Sequence, residues 1–182
     1  AYKRVLEAPE AAHGARREAI WRLLQSYQGA HEYEAAHGVV EQLLRDFPDH
    51  PRQLEARLEL GVILKEKGQY AQAIGHFEAL LNEQQLDAND ASEARFYVGE
   101  SYQNMGEYRK AIEAYYKVSY HGAGGFSQWI TSADFQRAKC HESMGEYATA
   151  ITVYERIVQR EGGSTPQGEM AQEQIVLLRR RL

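Results

Sequence analysis

The residues able to do chemistry are not spaced to do it together. Seven histidines, His13, His31, His37, His50, His76, His121 and His141, are scattered through 182 residues. None stands four places from another histidine or from Cys140, so the helical spacing that puts two ligands on one metal is absent. Cys140 and His141 are adjacent, which on a helix turns their side chains about 100° apart. As the single cysteine, Cys140 can form no internal disulfide and leaves the redox compartment open. Asp87, Asp90 and Glu93 lack calcium-loop spacing and read as a helix cap followed by first-turn charge. Glu32 and Glu34 read as surface carboxylates. With no Ser-His-Asp set, phosphate loop or nucleotide fingerprint, the expectation is a non-enzymatic chain with no catalytic residue, metal or cofactor.

Charge narrows the partner. The formal net charge is −5, and phosphate binding draws on concentrated Lys and Arg, so nucleic acid is not expected. The one basic run, Arg179-Arg180-Arg181, reads as a solvated helix end. No apolar run approaches the roughly 20 residues of a membrane span, so direct membrane insertion is not expected either. A mean hydropathy of −0.60 beside 43% hydrophobic residues fits a sizeable core under a solvated surface.

The elements that carry these residues repeat. "MGEYRKAIEAYY" (105–116) recurs as "MGEYATAITVYE" (144–155), offset by 39. A third copy is "KGQYAQAIGHFEALL" (67–81), and a weaker fourth is "AHEYEAAHGVVEQLL" (30–44). The tyrosines Tyr33, Tyr70, Tyr108 and Tyr147 align, as do Ala36, Ala73, Ala111 and Ala150. Val40, Phe77, Tyr115 and Tyr154 follow, then Leu43, Leu80, Val118 and Ile157. Amphipathic stretches at 19–28, 56–67, 94–105 and 135–144 precede the copies, with apolar and small residues at three- and four-residue spacing. Each unit is therefore helix, tight turn, helix. Gly68, Gly106 and Gly145 fall where the first helix must end in a left-handed residue. Gly61 and Gly99 are small where the paired backbones approach. One such hairpin cannot bury both its faces, but stacked copies can.

These residues resemble the tetratricopeptide repeat, whose pattern is matched by Gly99, Tyr102, Gly106, Tyr108, Ala111 and Tyr115. Leu64 replaces the aromatic of the second unit. His31 replaces the turn glycine of the first and Leu24 its small residue, so the first hairpin is expected to be less regular. Ala138 and His141 depart in the fourth. The resemblance implies an all-α, right-handed superhelical solenoid of antiparallel helix pairs, with four full repeats and a half repeat at each end. Its parts are 1–13, the second helix of a truncated repeat; repeats at 14–50, 51–88, 89–126 and 127–164; and a terminal helix at 165–182. The chain starts at Ala1 rather than Met, which reads as a segment of a longer array with an unusually apolar N-terminal face. The lengthened connectors 45–53, 82–92 and 119–131 are similar to those of bacterial envelope-associated members, which leans the compartment to the periplasm or envelope.

In the resembled family, certain first-helix places face a concave groove. The fifth reads Trp21, Leu58, Phe96, Phe135, and the second reads Glu18, Glu55, Glu93, Ser132. The ninth reads Gln25, Val62, Glu100, Lys139, and the twelfth Gln28, Lys65, Gln103, Glu142. An apolar stripe beside an acidic row would seat a neutral or basic peptide or helix. The same column is equally what a core between repeats demands, and burial distinguishes the two. The Lys/Asn/Arg clamp that holds a terminal carboxylate in the family's chaperone-binding members is missing. The expected function is a protein-interaction scaffold. The alternative is self-assembly, a homo-oligomer formed through exposed repeat ends. Phe126 and Trp129, beside Gly122, Gly124 and Gly125, read as anchors of an ordered connector.

Overall fold

The computed structural model describes residues 1–8, 12–83, 86–121 and 127–182. Among the described residues there are ten helices and no strand. They are α1 (Tyr2–Glu7), α2 (His13–Gly29), α3 (Tyr33–Asp46), α4 (Gln53–Glu66), α5 (Tyr70–Leu81), α6 (Ala88–Asn104), α7 (Tyr108–His121), α8 (Ser127–Ser143), α9 (Tyr147–Glu161) and α10 (Pro166–Arg179). The four aligned tyrosines are the first residues of α3, α5, α7 and α9.

The elbows before those tyrosines share one geometry. Gly68, Gly106 and Gly145 each have φ of 75°. Each donates its N–H to the carbonyl three residues back, and the following residue donates to the carbonyl five back, all at 2.9 Å. This double bond satisfies carbonyls that the helix end would otherwise leave open. The first elbow was expected to be looser and is not. His31 takes φ of 57° and makes the same two bonds, His31 N–H to Gln28 and Glu32 N–H to Tyr27. A left-handed non-glycine residue costs roughly 1–2 kcal/mol. The contact of 2.8 Å between His31 Nδ1 and the Tyr33 hydroxyl offsets part of it.

Contacts gather into two compact units, Ala1–Ala73 and Ile74–Leu182. In the first, α1 lies on α2, α2 on α3 and α3 on α4, around Ile20, Leu24, Val40, Leu43 and Ile63. In the second, α6 packs on α7, α7 on α8, α8 on α9 and α9 on α10, while α6 also meets α8. Phe96, Tyr115, Val118 and Cys140 form one cluster of its core, and Tyr154, Ile157, Ile175 and Leu178 belong to another. The approach of α6 to α7 requires glycine: a Cβ on Gly99 would lie 2.5 Å from the Tyr115 ring.

A further expectation changes. Much of the lengthened connectors is helix, because α6 and α8 begin at Ala88 and Ser127 and run 17 residues each. Asp87 caps α6, its side chain accepting from Asp90 N–H at 2.8 Å. Trp129 lies in the first turns of α8, where its indole donates to Asn89 Oδ1 at 2.9 Å and its ring sits 5.3 Å from that of Phe96. Gly122, Gly124, Gly125 and Phe126 lie outside the described residues. At the N-terminal end, Tyr2 of α1 is exposed while Val5 and Leu6 are half-buried, Leu6 against the first core. Exposed large apolar side chains also mark α10, at Met170, Val176 and Leu177, and α7, at Tyr116 and Tyr120.

Candidate functional site

The fifth-place column is mostly core. Trp21, Leu58 and Phe96 are 2%, 6% and 7% exposed, so an open apolar stripe does not run along the first helices. The connector explains Trp21. It carries His50 to 6.0 Å from the indole and the Arg52 guanidinium to 5.1 Å above it. His50 is pinned there, accepting from Arg52 N–H at Nδ1 (3.1 Å) and facing the Arg17 carbonyl with Nε2 (3.2 Å). Phe96 is enclosed by the rings of Tyr115 and Trp129. Only Phe135 stays half-buried, edge-on to Tyr154 at 5.7 Å.

The twelfth place divides by what the second helix offers. The Tyr115 hydroxyl donates to Gln103 Oε1 and the Tyr154 hydroxyl to Glu142 Oε1, each at 2.7 Å. Both rings are fully buried, and a buried hydroxyl without an acceptor would be penalised. Burial holds both phenols far above their ordinary titration range, Glu142 adding to the effect at Tyr154. Gln103 and Glu142 are thus engaged inward. In the first repeat the partner is Val40, and Gln28 instead donates to Glu59. Lys65, in the repeat with Phe77, pairs with Glu66 at 2.8 Å.

The other predicted residues remain at least partly accessible. Gln25, Glu55 and Lys139 are exposed, while Val62, Glu93 and Glu100 are half-buried. The second-place carboxylates of the first unit have local cations: Glu18 pairs with Arg22 at 2.7 Å and Glu55 with Arg52 at 3.5 Å. Such exposed pairs contribute little to stability. In the second unit the first helices α6 and α8 share a face, linked by Gln103 donating to Gln136 at 3.4 Å.

The sequence reading missed an ionic layer between α7, α8 and α9. Asp134, 3% exposed, takes Arg137 at 3.0 Å, Arg160 at 2.7 Å and the Ser119 hydroxyl at 3.0 Å. Arg160 also reaches Glu161 at 3.1 Å, whose carboxylate accepts from Thr131. The Thr131 hydroxyl, then Arg160, draw the Glu161 carboxyl below its usual range against partial desolvation. Burial lowers Arg137, which Asp134 opposes. The signal was readable: Asp134 and Arg137 occupy the repeat places of Ile20 and Leu23. Cys140 is fully buried, and burial pushes its thiol up to about 11. Among the described residues no group of histidine, cysteine and carboxylate side chains could hold a metal, and no helix is long and apolar enough to cross a membrane.

The helix pairs have clear counterparts. The nearly identical TPR-like repeats assigned to a kinesin light chain of Podosopora anserina superpose with a TM-score of 0.71 at 18% identity, covering 91% of this chain and 86% of that one. MamA protein gives 0.64 at 19% identity, covering 91% and 81%. A Rap protein complexed with Competence and Sporulation Factor gives 0.67 at 17%, covering 87% of this chain and 46% of its own. At these identities the likeness is one of fold. Among curated proteins none matches the chain in sequence. Tetratricopeptide repeat profiles match residues 22–91, and then 93–120 and 132–164. With its helix pairs, its repeated elbows and profile matches over most of its length, the chain belongs to the tetratricopeptide repeat family.

Proposed function

We propose that the chain is a non-enzymatic scaffold that receives a partner polypeptide on the first-helix face of its second unit. Tetratricopeptide repeats generally mediate protein–protein interaction, and the Rap neighbour was crystallised with a factor bound. The observation that carries the reading is the surface around Phe135. It is the one large apolar side chain of its column that stays half-buried. Exposed Lys139 and half-buried Glu93 and Glu100 provide polar positions on α6 and α8. An apolar anchor with polar surroundings fits a short segment docked by a few side chains. A photo-crosslinking residue placed at Lys139 or Glu100, and at Arg45 on α3 as a control, tests it in extract of the source cells. The expected result is a discrete adduct from the first two positions, lost in Phe135→Ala. Equal adducts from Arg45, or none from any position, would remove the reading.

A second reading, self-association, has its own observation. Val176 and Leu177 are 52% and 51% exposed on α10, with Met170, 52% exposed, two turns before Leu177. Sedimentation that stays strictly monomeric at high concentration would exclude it. Dimerisation lost in Val176→Glu/Leu177→Glu would support it.

A further inference from the structure

Within each unit second helices border grooves, α1 with α3 in the first and α5 with α7 in the second. In the second unit α7 and α9 border one of about 350 Å³, with α8 at its base. Its apolar lining includes Ile112, Val153 and Tyr116, and three arginines, Arg109, Arg137 and Arg156, stand around it. We propose that this groove docks an acidic polypeptide segment that also carries an apolar side chain.

Three arginines line this groove, against Arg95 and Lys117 in the one bordered by α5 and α7 and Lys3 alone in the one bordered by α1 and α3. At the repeat places of Arg137 and Arg156, the groove lined by α1, α2 and α3 has Leu23 and Gln42. The one lined by α5, α6 and α7 has Val98 and Lys117. The acidic groups nearby are already engaged. Glu113 pairs with Lys117 at 2.9 Å, Glu146 with His141 at 2.7 Å and with Arg109 at 4.0 Å, and Asp134 with Arg137 and Arg160. Arg156 is exposed and has no ion pair among the described residues. Arg137 is 6% exposed, its Nε lacks an acceptor among the described residues, and its guanidinium lies 5.7 Å over the exposed Tyr116 ring. Arg156 and Arg160 add like-charge repulsion to it. A carboxylate entering beside Arg156 relieves that crowding, and guanidinium groups bind carboxylates through paired N–H donors. On a chain of net charge −5, such a basic patch also steers acidic partners to one place. The apolar lining supplies the anchor that a purely electrostatic contact lacks.

This surface is separate from the first-helix face, and neither reading depends on the other. The test is selection of random 16-residue peptides displayed on phage against the whole chain, followed by fluorescence anisotropy of the winners. Enriched peptides are expected to combine at least two Asp or Glu with an aromatic or aliphatic residue. They should bind Arg109→Glu/Arg156→Glu about tenfold or more weaker while Arg22→Glu/Arg45→Glu, an equal charge change on exposed sites of α2 and α3, leaves them unaltered. Circular dichroism melting shows that both variants fold. No enrichment, enrichment without acidic residues, or equal binding to parent and groove variant overturns the proposal. So does binding of plain poly-glutamate as tight as that of the selected peptides.

Discussion

The α2–α3 pair and the α8–α9 pair share an elbow and a helix order but fill the same layer with opposite chemistry. At equivalent places the first has Ile20, Leu23 and Phe47, all buried in one apolar cluster. The second has Asp134, Arg137 and Glu161, joined through Arg160. One backbone arrangement therefore accepts either an apolar or an ionic interior. A buried ion pair loses hydration that its attraction only partly returns, so it is a weak source of net stability but a severe liability once broken.

The largest expected effect separates these two statements. Asp134→Ala strands Arg137 and should destabilise the second unit by about 3–5 kcal/mol in urea denaturation. Copying the first repeat's solution, Asp134→Ile/Arg137→Leu, should recover most of that loss or exceed the parent. If the double variant is as unstable as the single, the two interiors are not interchangeable. Next comes Gly99→Ala, expected to cost about 1–3 kcal/mol, because the added methyl meets the Tyr115 ring. Tyr154→Phe should cost about 1 kcal/mol by leaving Glu142 without its donor. A double cycle with Glu142→Ala would show coupling only if that bond contributes. His31→Gly should raise stability by about 1 kcal/mol or less, sharpening the first elbow's likeness to the other three.

The smallest effect is in pH. Glu161 titrates below its ordinary range, so its contribution is complete above the unfolded carboxylate value and disappears as pH falls through the lower folded value. Glu161→Gln should flatten the acid limb of the stability profile. An unchanged limb would show that the carboxylate contributes nothing there.

The repeat phase was legible because each elbow is followed by tyrosine, alanine and a large apolar residue at fixed steps, and each of those tyrosines begins a helix. Cost was not legible. His31 adopts a glycine's conformation with the elbow's two backbone bonds made and the Tyr33 ring and hydroxyl against it, and a sequence pattern shows only the substitution. The candidate face was half legible. Positional analogy identified first-helix places, yet it could not distinguish Trp21, covered by its own connector through His50 and Arg52, from Phe135, left half-open. Gln103 and Glu142 were expected as contact residues because they hold the twelfth place, which faces the groove in the resembled family. Their hydroxyl donors lie twelve residues later in the chain, a pairing visible only once Tyr is seen to replace Val40 and Phe77.

Cys140 gives the molecule a silent reporter. It is the only thiol in the chain, shielded from solvent among Phe96, Tyr115 and Ala133, and burial raises it to about 11, which keeps it protonated well above neutral pH. An alkylating reagent can reach it only when α8 leaves its seat, so labelling kinetics read the breathing of that helix without any engineered probe. A partner clamping either face of α8 would slow the clock from a distance, and the degree of slowing would measure how firmly it holds.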